Sequence, residues 1–216
     1  IRVDSIRSRY TDLIEEFSDA TRGVASEWRI GAPSYSKELE SAVLNAGYLS
    51  EGTADAWSIE VHERRPAMPD GVRVERVTDL VGLRAMNQIV GTAFDRNRDE
   101  SPDVLAEELE KCTGPSARSI RFVAYDTSND QPVSAGAMDV FTPLGIGFMW
   151  GGCTLESARG RGIYSAVITA RLQLAKQLGL ARVGLYALRA TSGAVISNQG
   201  FKRHGSCHFW MSPPDF

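Results

Sequence analysis

Arg159, Gly160, Arg161 and Gly162 alternate between an apolar run that ends at Leu155 and a helix-like repeat that begins at Ile163. Residues of these types at this spacing can cradle an anion. A helix start leaves backbone N–H groups unpaired and carries partial positive charge, so phosphates sit well there. Glycines let a ligand reach the backbone, and the arginines can add charge-assisted contacts. The bland alternative is a solvated turn with helix-start glycines, and the four residues alone are weak evidence.

The preceding run, "WGGCTL", places Gly151 and Gly152 inside an otherwise apolar strand. Paired glycines there predict a bulge or the close approach of another backbone. A bulged strand, a short turn and a glycine-rich helix start suit a ligand with a phosphate head and an extended amide tail. The tail could bond to strand N–H and C=O groups like an added strand. Coenzyme A has both parts.

The elements that must position these residues are legible from periodicity. Residues ~2 to 20 read as an amphipathic helix, "EWRI" as a short apolar piece, "GAPS" as a turn, and Tyr35 to Asn45 as a helix stopped by Gly47. "ADAWSIEVH" alternates like a strand, and "ERRPAMPDG" is the best linker, with its boundary placed at 66–71. Beyond it come a strand at "VRVERV", helices over 79–94 and 102–112, and strands at "IRFVAYD", "PVSAGAMDVF" and "GIGFMWGGCTL". The helix after the cradle ends at Gly179; "ARVGLYAL", a short helix from Ser192 to Gln199, and "KRHGSCHFWMS" close the chain. This order predicts a mixed α/β layer fold. "NAGYLSEGTADAWS" (45–58) also lines up with "NQGFKRHGSCHFWM" (198–211) without a gap, so residues 1–65 read as a shortened copy of the second half of a main domain at 72–216.

Composition sets the outer bounds. The 216 residues are 43% hydrophobic and 24% charged, enough for a real core, and the net charge of −3 supplies no basic field to draw nucleic acid. Cys112, Cys153 and Cys207 lack CxxC spacing, and His62, His204 and His208 are scattered, so neither a disulfide framework nor a metal site is expected. Reduced thiols fit a cytoplasmic setting. No apolar run reaches the ~18 residues of a membrane span, and no signal-peptide pattern opens the chain. The first residue is Ile, which fits a trimmed or truncated product.

At "RGRGIY", Arg159 to Tyr164, the chain resembles the GCN5-related N-acetyltransferase (GNAT) superfamily, whose signature is Arg/Gln-x-x-Gly-x-Gly/Ala after the fourth strand. Tyr164 departs from the pattern by replacing the small final residue. "SNQGF" and the strand after it look like the family's closing helix and strand, and the resemblance covers about two thirds of the chain. It implies a mixed, mostly antiparallel sheet flanked by helices and acetyl-CoA as acyl donor. The backbone of Cys153, Thr154 and Leu155 would bind the pantetheine arm. Arg159, Gly160, Arg161, Gly162, Ile163, Tyr164 and Ser165 would hold the pyrophosphate. The implied activity is N-acetylation of a small-molecule or peptide amine, with no nucleic-acid or membrane partner and room for a homodimer. The alternative is a non-catalytic acyl-CoA-binding module.

Acetyl transfer needs a neutral amine, aimed donors for the oxyanion, and a tolerable thiolate leaving group. A strand N–H near Thr154 or Leu155 could supply the donor. Asp139 and Glu156 are the candidate bases, against the alternatives of a solvated strand face and a turn carboxylate. The family's usual proton-donating tyrosine falls at Ile196, so Ser192, Ser197 or Tyr186 would have to substitute. "DRNRDES" (95–101) occupies the place of an acceptor-binding loop or is simply a charged loop. Cys153 reads as a buried small hydrophobe rather than a nucleophile. Phe148, Met149 and Trp150 read as core or site wall.

Overall fold

A computed structural model describes residues 10–61, 68–95, 101–189 and 191–213. The start of the expected first helix, most of the expected linker and most of "DRNRDES" lie outside the described residues. The helices are α1 (Tyr10–Ala20), α2 (Lys37–Asn45), α3 (Leu80–Phe94), α4 (Pro102–Thr113), α5 (Ile163–Gln177) and α6 (Ser192–Asn198). The strands are β1 (Glu27–Gly31), β2 (Leu49–Glu60), β3 (Val72–Arg76), β4 (Ser119–Asp126), β5 (Gln131–Phe141), β6 (Ile146–Thr154), β7 (Arg182–Leu188) and β8 (Lys202–Met211).

The chain divides into two compact units. The smaller comprises Ile1–Trp57, Tyr186–Asn198 and Lys202–Phe216, and the larger Ser58–Leu185 with Gln199–Phe201. This division interleaves the chain, whereas the linker reading places a single boundary at 66–71. In the larger unit the strand order is β7–β6–β5–β4–β3. β3–β4, β4–β5 and β5–β6 pair antiparallel and β6–β7 pairs parallel, so the sheet is mixed and mostly antiparallel.

Alternation along β5 decides which helix covers which face. Ala135 and Ala137 join Leu83, Met86, Ile89 and Val90 of α3 and Leu105 of α4 in one apolar core. Gly136, between them, faces Arg171 and Val167 of α5. Helices therefore flank both faces. Ile163, Val167, Ile168, Leu172 and Ala175 of α5 are buried, as their helical spacing predicts.

In the smaller unit β8 lies between β1 and β2. "EWRI" proves to be a strand, pairing Glu27↔Met211 through Gly31↔Cys207. Ile14, Ile30, Leu39, Val43, Tyr48 and Trp210 form its core. The two echoed segments take the same local form. In each, a helix (α2 or α6) runs into a left-handed glycine, Gly47 at φ 90° or Gly200 at φ 84°, and then a buried aromatic, Tyr48 or Phe201.

Candidate functional site

The expected bulge is present. β5 and β6 pair Ala135↔Cys153 on one side and Ala137↔Trp150 on the other, so Gly136 faces two residues, Gly151 and Gly152. Gly151 takes φ 60°, a left-handed conformation that glycine adopts without a Cβ clash. Beyond the bulge, the parallel ladder with β7 has already ended at Met149↔Leu185, while β6 continues to Thr154. One edge of Trp150–Thr154 therefore lies outside that ladder, which is what an added extended chain requires.

From β6 the backbone enters a short 3₁₀ turn, Glu156–Ala158, then passes Gly160 and Gly162, both at φ 76°, into α5. The first intrahelical bond is Ala166 N–H to Gly162 C=O, at 3.1 Å. The N–H groups of Ile163, Tyr164 and Ser165 precede it and so have no partner within the helix. A Cβ on Gly160 would meet nothing within 4 Å, and one on Gly162 only Pro69, at 3.8 Å. Among the described residues, the space beside these two glycines is otherwise open. Such a cradle fits a diphosphate: small residues, donors without an intrahelical partner, and the positive end of a fifteen-residue helix.

The arginines divide between two tasks. Arg161 Nη1 donates to Asp126 Oδ2 at 2.6 Å and ties the turn to the end of β4. Asp126 also accepts from the Ser128 hydroxyl at 2.7 Å and the Ser128 N–H at 3.0 Å. Arg161, and then Ser128, hold this carboxyl well below the usual carboxylate range. Arg161 is thus an anchor before it is a phosphate ligand. Arg159 is exposed and donates from Nε to the Thr154 carbonyl at 3.3 Å, bracing the strand exit.

The three residues expected along the extended tail differ in what they can offer. The Cys153 carbonyl accepts from the buried Ser134 hydroxyl at 2.6 Å, and Ser134 also bonds the Thr154 hydroxyl at 2.8 Å. Leu155 gives its N–H to the Val133 carbonyl, and its own carbonyl accepts from Ala158 N–H, each at 2.9 Å. With its N–H engaged, Leu155 is not the oxyanion donor; of the two residues expected in that role, Thr154 is the one left to test. Cys153 is buried, as a small apolar residue would be.

Tyr164, the departure from the motif, is explained by the glycines. A Cβ at Gly152 would lie 2.9 Å from Tyr164 Cε2 and 3.0 Å from its Oη, so the ring occupies the volume a side chain there would need. Its hydroxyl lies beside Arg171, one of the largest fully buried side chains. Arg171 Nη1 donates to the Ala137 carbonyl next to the bulge, and Nε to Val167 C=O, both at 3.1 Å. Burial pushes the Arg171 guanidinium below its ordinary value, against the Tyr164 hydroxyl, which pulls it up. Gly152→Ala should cost about 1–2 kcal/mol by overpacking. Adding Tyr164→Ala should recover much of that, with a coupling of roughly 1 kcal/mol in a double-mutant cycle of thermal melts. Simple additivity would show that the ring and the bulge do not share this space.

The candidate catalytic residues lie on separate elements. Asp139 is half-buried on the α3 side of β5 and accepts from Trp150 Nε1 at 2.8 Å. Glu156 is exposed in the 3₁₀ turn, where its carbonyl accepts from Arg159 N–H at 3.2 Å. Ser192 opens α6 in the smaller unit, where Ser197 is exposed and Tyr186 packs edge-on against Phe209. Burial raises the Tyr186 hydroxyl above its ordinary value. Ile196 is fully buried. Asp126, Arg171, Asn87, Glu108 and Arg121 were not singled out by motif. Arg121 and Arg171 do carry a signal in the sequence, because each puts a charge among the apolar positions of its element.

No protein-family profile and no curated protein sequence matches the chain. Solved structures do. A GCN5-related N-acetyltransferase from Sphaerobacter thermophilus aligns over 97% of this chain and 70% of its own, at TM-score 0.67 and 18% identity. The chain has the GNAT fold. A second GCN5-related N-acetyltransferase, from Kribbella flavida, covers 92% of this chain and 72% of its own, at TM-score 0.64 and 18% identity. A tandem GNAT protein of the clavulanic acid biosynthesis pathway covers 98% and 71%, at TM-score 0.61 and 13% identity. Within this GNAT fold the bulged strand, left-handed glycines and helix start are the chain's own, read from its residues and dihedral angles. Among the described residues, no helix is long and apolar enough to cross a membrane.

Proposed function

We propose that the protein is an acetyl-CoA-dependent N-acetyltransferase acting on the amine of a small molecule or peptide. One observation carries the reading: the β6 bulge at Gly151, the left-handed Gly160 and Gly162, and the open start of α5 follow one another within a dozen residues. Acetyl-CoA would supply an activated thioester for direct attack by the amine. The chain's own contribution is to hold and orient. The helix start receives the diphosphate, the edge of Trp150–Thr154 receives the pantetheine amides, and Arg159 and Arg161 brace the turn between them. Fixing the thioester in this way can account for much of the rate without a strong acid. The N-acetyltransferases that share the fold support the reading.

A second reading, an acyl-CoA-binding module without activity, draws on Ile196, which is buried and has no proton to donate. Incubation with acetyl-CoA and a panel of amines, following thiol release, decides between them. Release above hydrolysis with at least one amine is expected. Tight cofactor binding with no release from any amine would favour the module. We further propose that residues 1–65 are a partial GNAT-like repeat without a phosphate loop. The matching forms of the α2–Gly47–β2 and α6–Gly200–β8 segments and the coverage by the tandem GNAT protein support this.

A further inference from the structure

Arg171 of α5 is a charge buried without a carboxylate. It is 1% exposed, and Nε and Nη1 donate to the main-chain carbonyls of Val167 and Ala137. Nη2 is buried with no hydrogen-bond partner among the described residues. Burying a cation in this way opposes folding, so the arrangement calls for an explanation. The titratable side chains beside the guanidinium are Tyr164 and Cys153. A guanidinium carries donors only, so toward Arg171 the Tyr164 oxygen can only accept. The hydroxyl proton of Tyr164 is therefore turned away from Arg171 and left for another acceptor.

Tyr164 is half-buried in the first turn of α5, and its ring reaches back to the bulge of β6. Its Oη would lie 3.0 Å from a Cβ on Gly152. The strand limits what else can come there. The ladder with β7 ends at Met149↔Leu185, while β6 runs on to Thr154. A tail that leaves the cradle beyond Thr154 and runs back along this edge must stop beside the bulge, where β7 takes over the pairing. An added chain lies about 4.8 Å from the strand it pairs with. The far end of the tail, which carries the sulfur, and the Tyr164 hydroxyl then meet at Gly152.

We propose that Tyr164 is a catalytic residue that gives a proton to the departing sulfur of coenzyme A, with Arg171 as the positioning residue that aims it. The inference rests on the acetyl-transfer reading. As the amine nitrogen bonds to the acetyl carbon, the carbon–sulfur bond breaks and its electron pair stays on sulfur. The Tyr164 proton passes to that sulfur and leaves a free thiol. The phenolate then recovers, through solvent, the proton that the amine has lost.

The test titrates the thiol of bound coenzyme A, by thiolate absorbance, in the parent and in Tyr164→Phe. The ionisation constant of the thiol should be about tenfold larger in the parent, because the hydroxyl donates to the thiolate. Desulfo-coenzyme A, followed by calorimetry, should bind both proteins equally; a merely structural role would change both ligands alike. With any amine found to be acetylated, kcat should fall about tenfold in Tyr164→Phe while the KM for acetyl-CoA holds. A second measurement needs no variant. In the parent labelled with carbon-13 at the tyrosine Cζ, one resonance should differ between the coenzyme A and desulfo-coenzyme A complexes. No difference there, or a thiol that titrates alike in both proteins, overturns the role of Tyr164 and leaves the acetyl-transfer reading standing. If coenzyme A binds neither protein, the acetyl-transfer reading falls and this role falls with it.

Discussion

Gly162→Asp should weaken coenzyme A binding roughly a hundredfold, about 2.8 kcal/mol, while leaving the protein folded. A carboxylate ~4 Å from a phosphate charge costs about 4 kcal/mol at an effective dielectric near 20, and exposure of the turn reduces that. Folding is affected far less. The left-handed backbone of Gly162 costs a side chain ~1–2 kcal/mol, and aspartate is among the residues that tolerate it. A negative charge at a helix start returns about 0.3–1 kcal/mol. Gly162→Asn carries the same backbone penalty without the charge, so it should retain most of the affinity. Calorimetry beside a thermal melt measures both quantities. Parent-like affinity in the aspartate variant would remove the cradle from the binding site.

Asp55→Ala should lower stability by about 3 kcal/mol, the low end for breaking a buried charged pair. Asp55 sits on β2 at 2% exposure and accepts from Arg189 Nε at 3.0 Å and Nη2 at 2.9 Å, from Arg203 Nη2 at 2.8 Å and from the Ser206 hydroxyl at 2.9 Å. It thereby joins three stretches of the smaller unit: β2, the turn after β7, and β8. Both arginines have solvent-facing side chains and recover hydration when the carboxylate goes, which is why the low end applies. At this chain length the loss corresponds to a fall in Tm of roughly 6–12 °C.

The same contacts set a pH dependence. Arg189, and then Arg203, hold the Asp55 carboxyl well below the usual carboxylate range. A depressed folded value means that the stabilisation is fully present above about pH 4, the ordinary value for the group. It is lost as pH falls further toward the folded value. Asp126 contributes with the same sign. Melts between neutral pH and about pH 3 should therefore fall less steeply for Asp55→Asn than for the parent. Parallel curves would mean that Asp55 carries no part of the acid sensitivity.

Much of the frame was legible because its signals are local. Helical spacing in α5 names the buried face, and paired glycines in β6 announce the bulge. β1 was not legible as a strand: it has five residues, and Ile30 alone among them is fully buried. What makes it a strand is β8, nearly two hundred residues away. β2 begins at Leu49, earlier than its alternation predicts, because its first five residues are exposed and carry no pattern. In the site, the glycines were readable and the partners were not. Arg161 could be assigned to an anion or to a protein carboxylate only once the fold brought Asp126 beside it. Asp139 gains its meaning from register, which sets it near Trp150 across a hairpin and opposite Ser119 on the next strand.

The buried Arg171 has a consequence for how this site can change over generations. Gly136 leaves room for its guanidinium, the Ala137 carbonyl holds it, and Tyr164 lies beside it and over Gly152. A drift of Tyr164 toward the small residue of the motif would leave a hole over Gly152 and strip the guanidinium of its neighbour. A methyl group at Gly136 would sit about 3.0 Å from that guanidinium, which is itself buried. Gly136, Gly152, Tyr164 and Arg171 are therefore mutually contingent. A single change at any one of them therefore disturbs the fit of the other three.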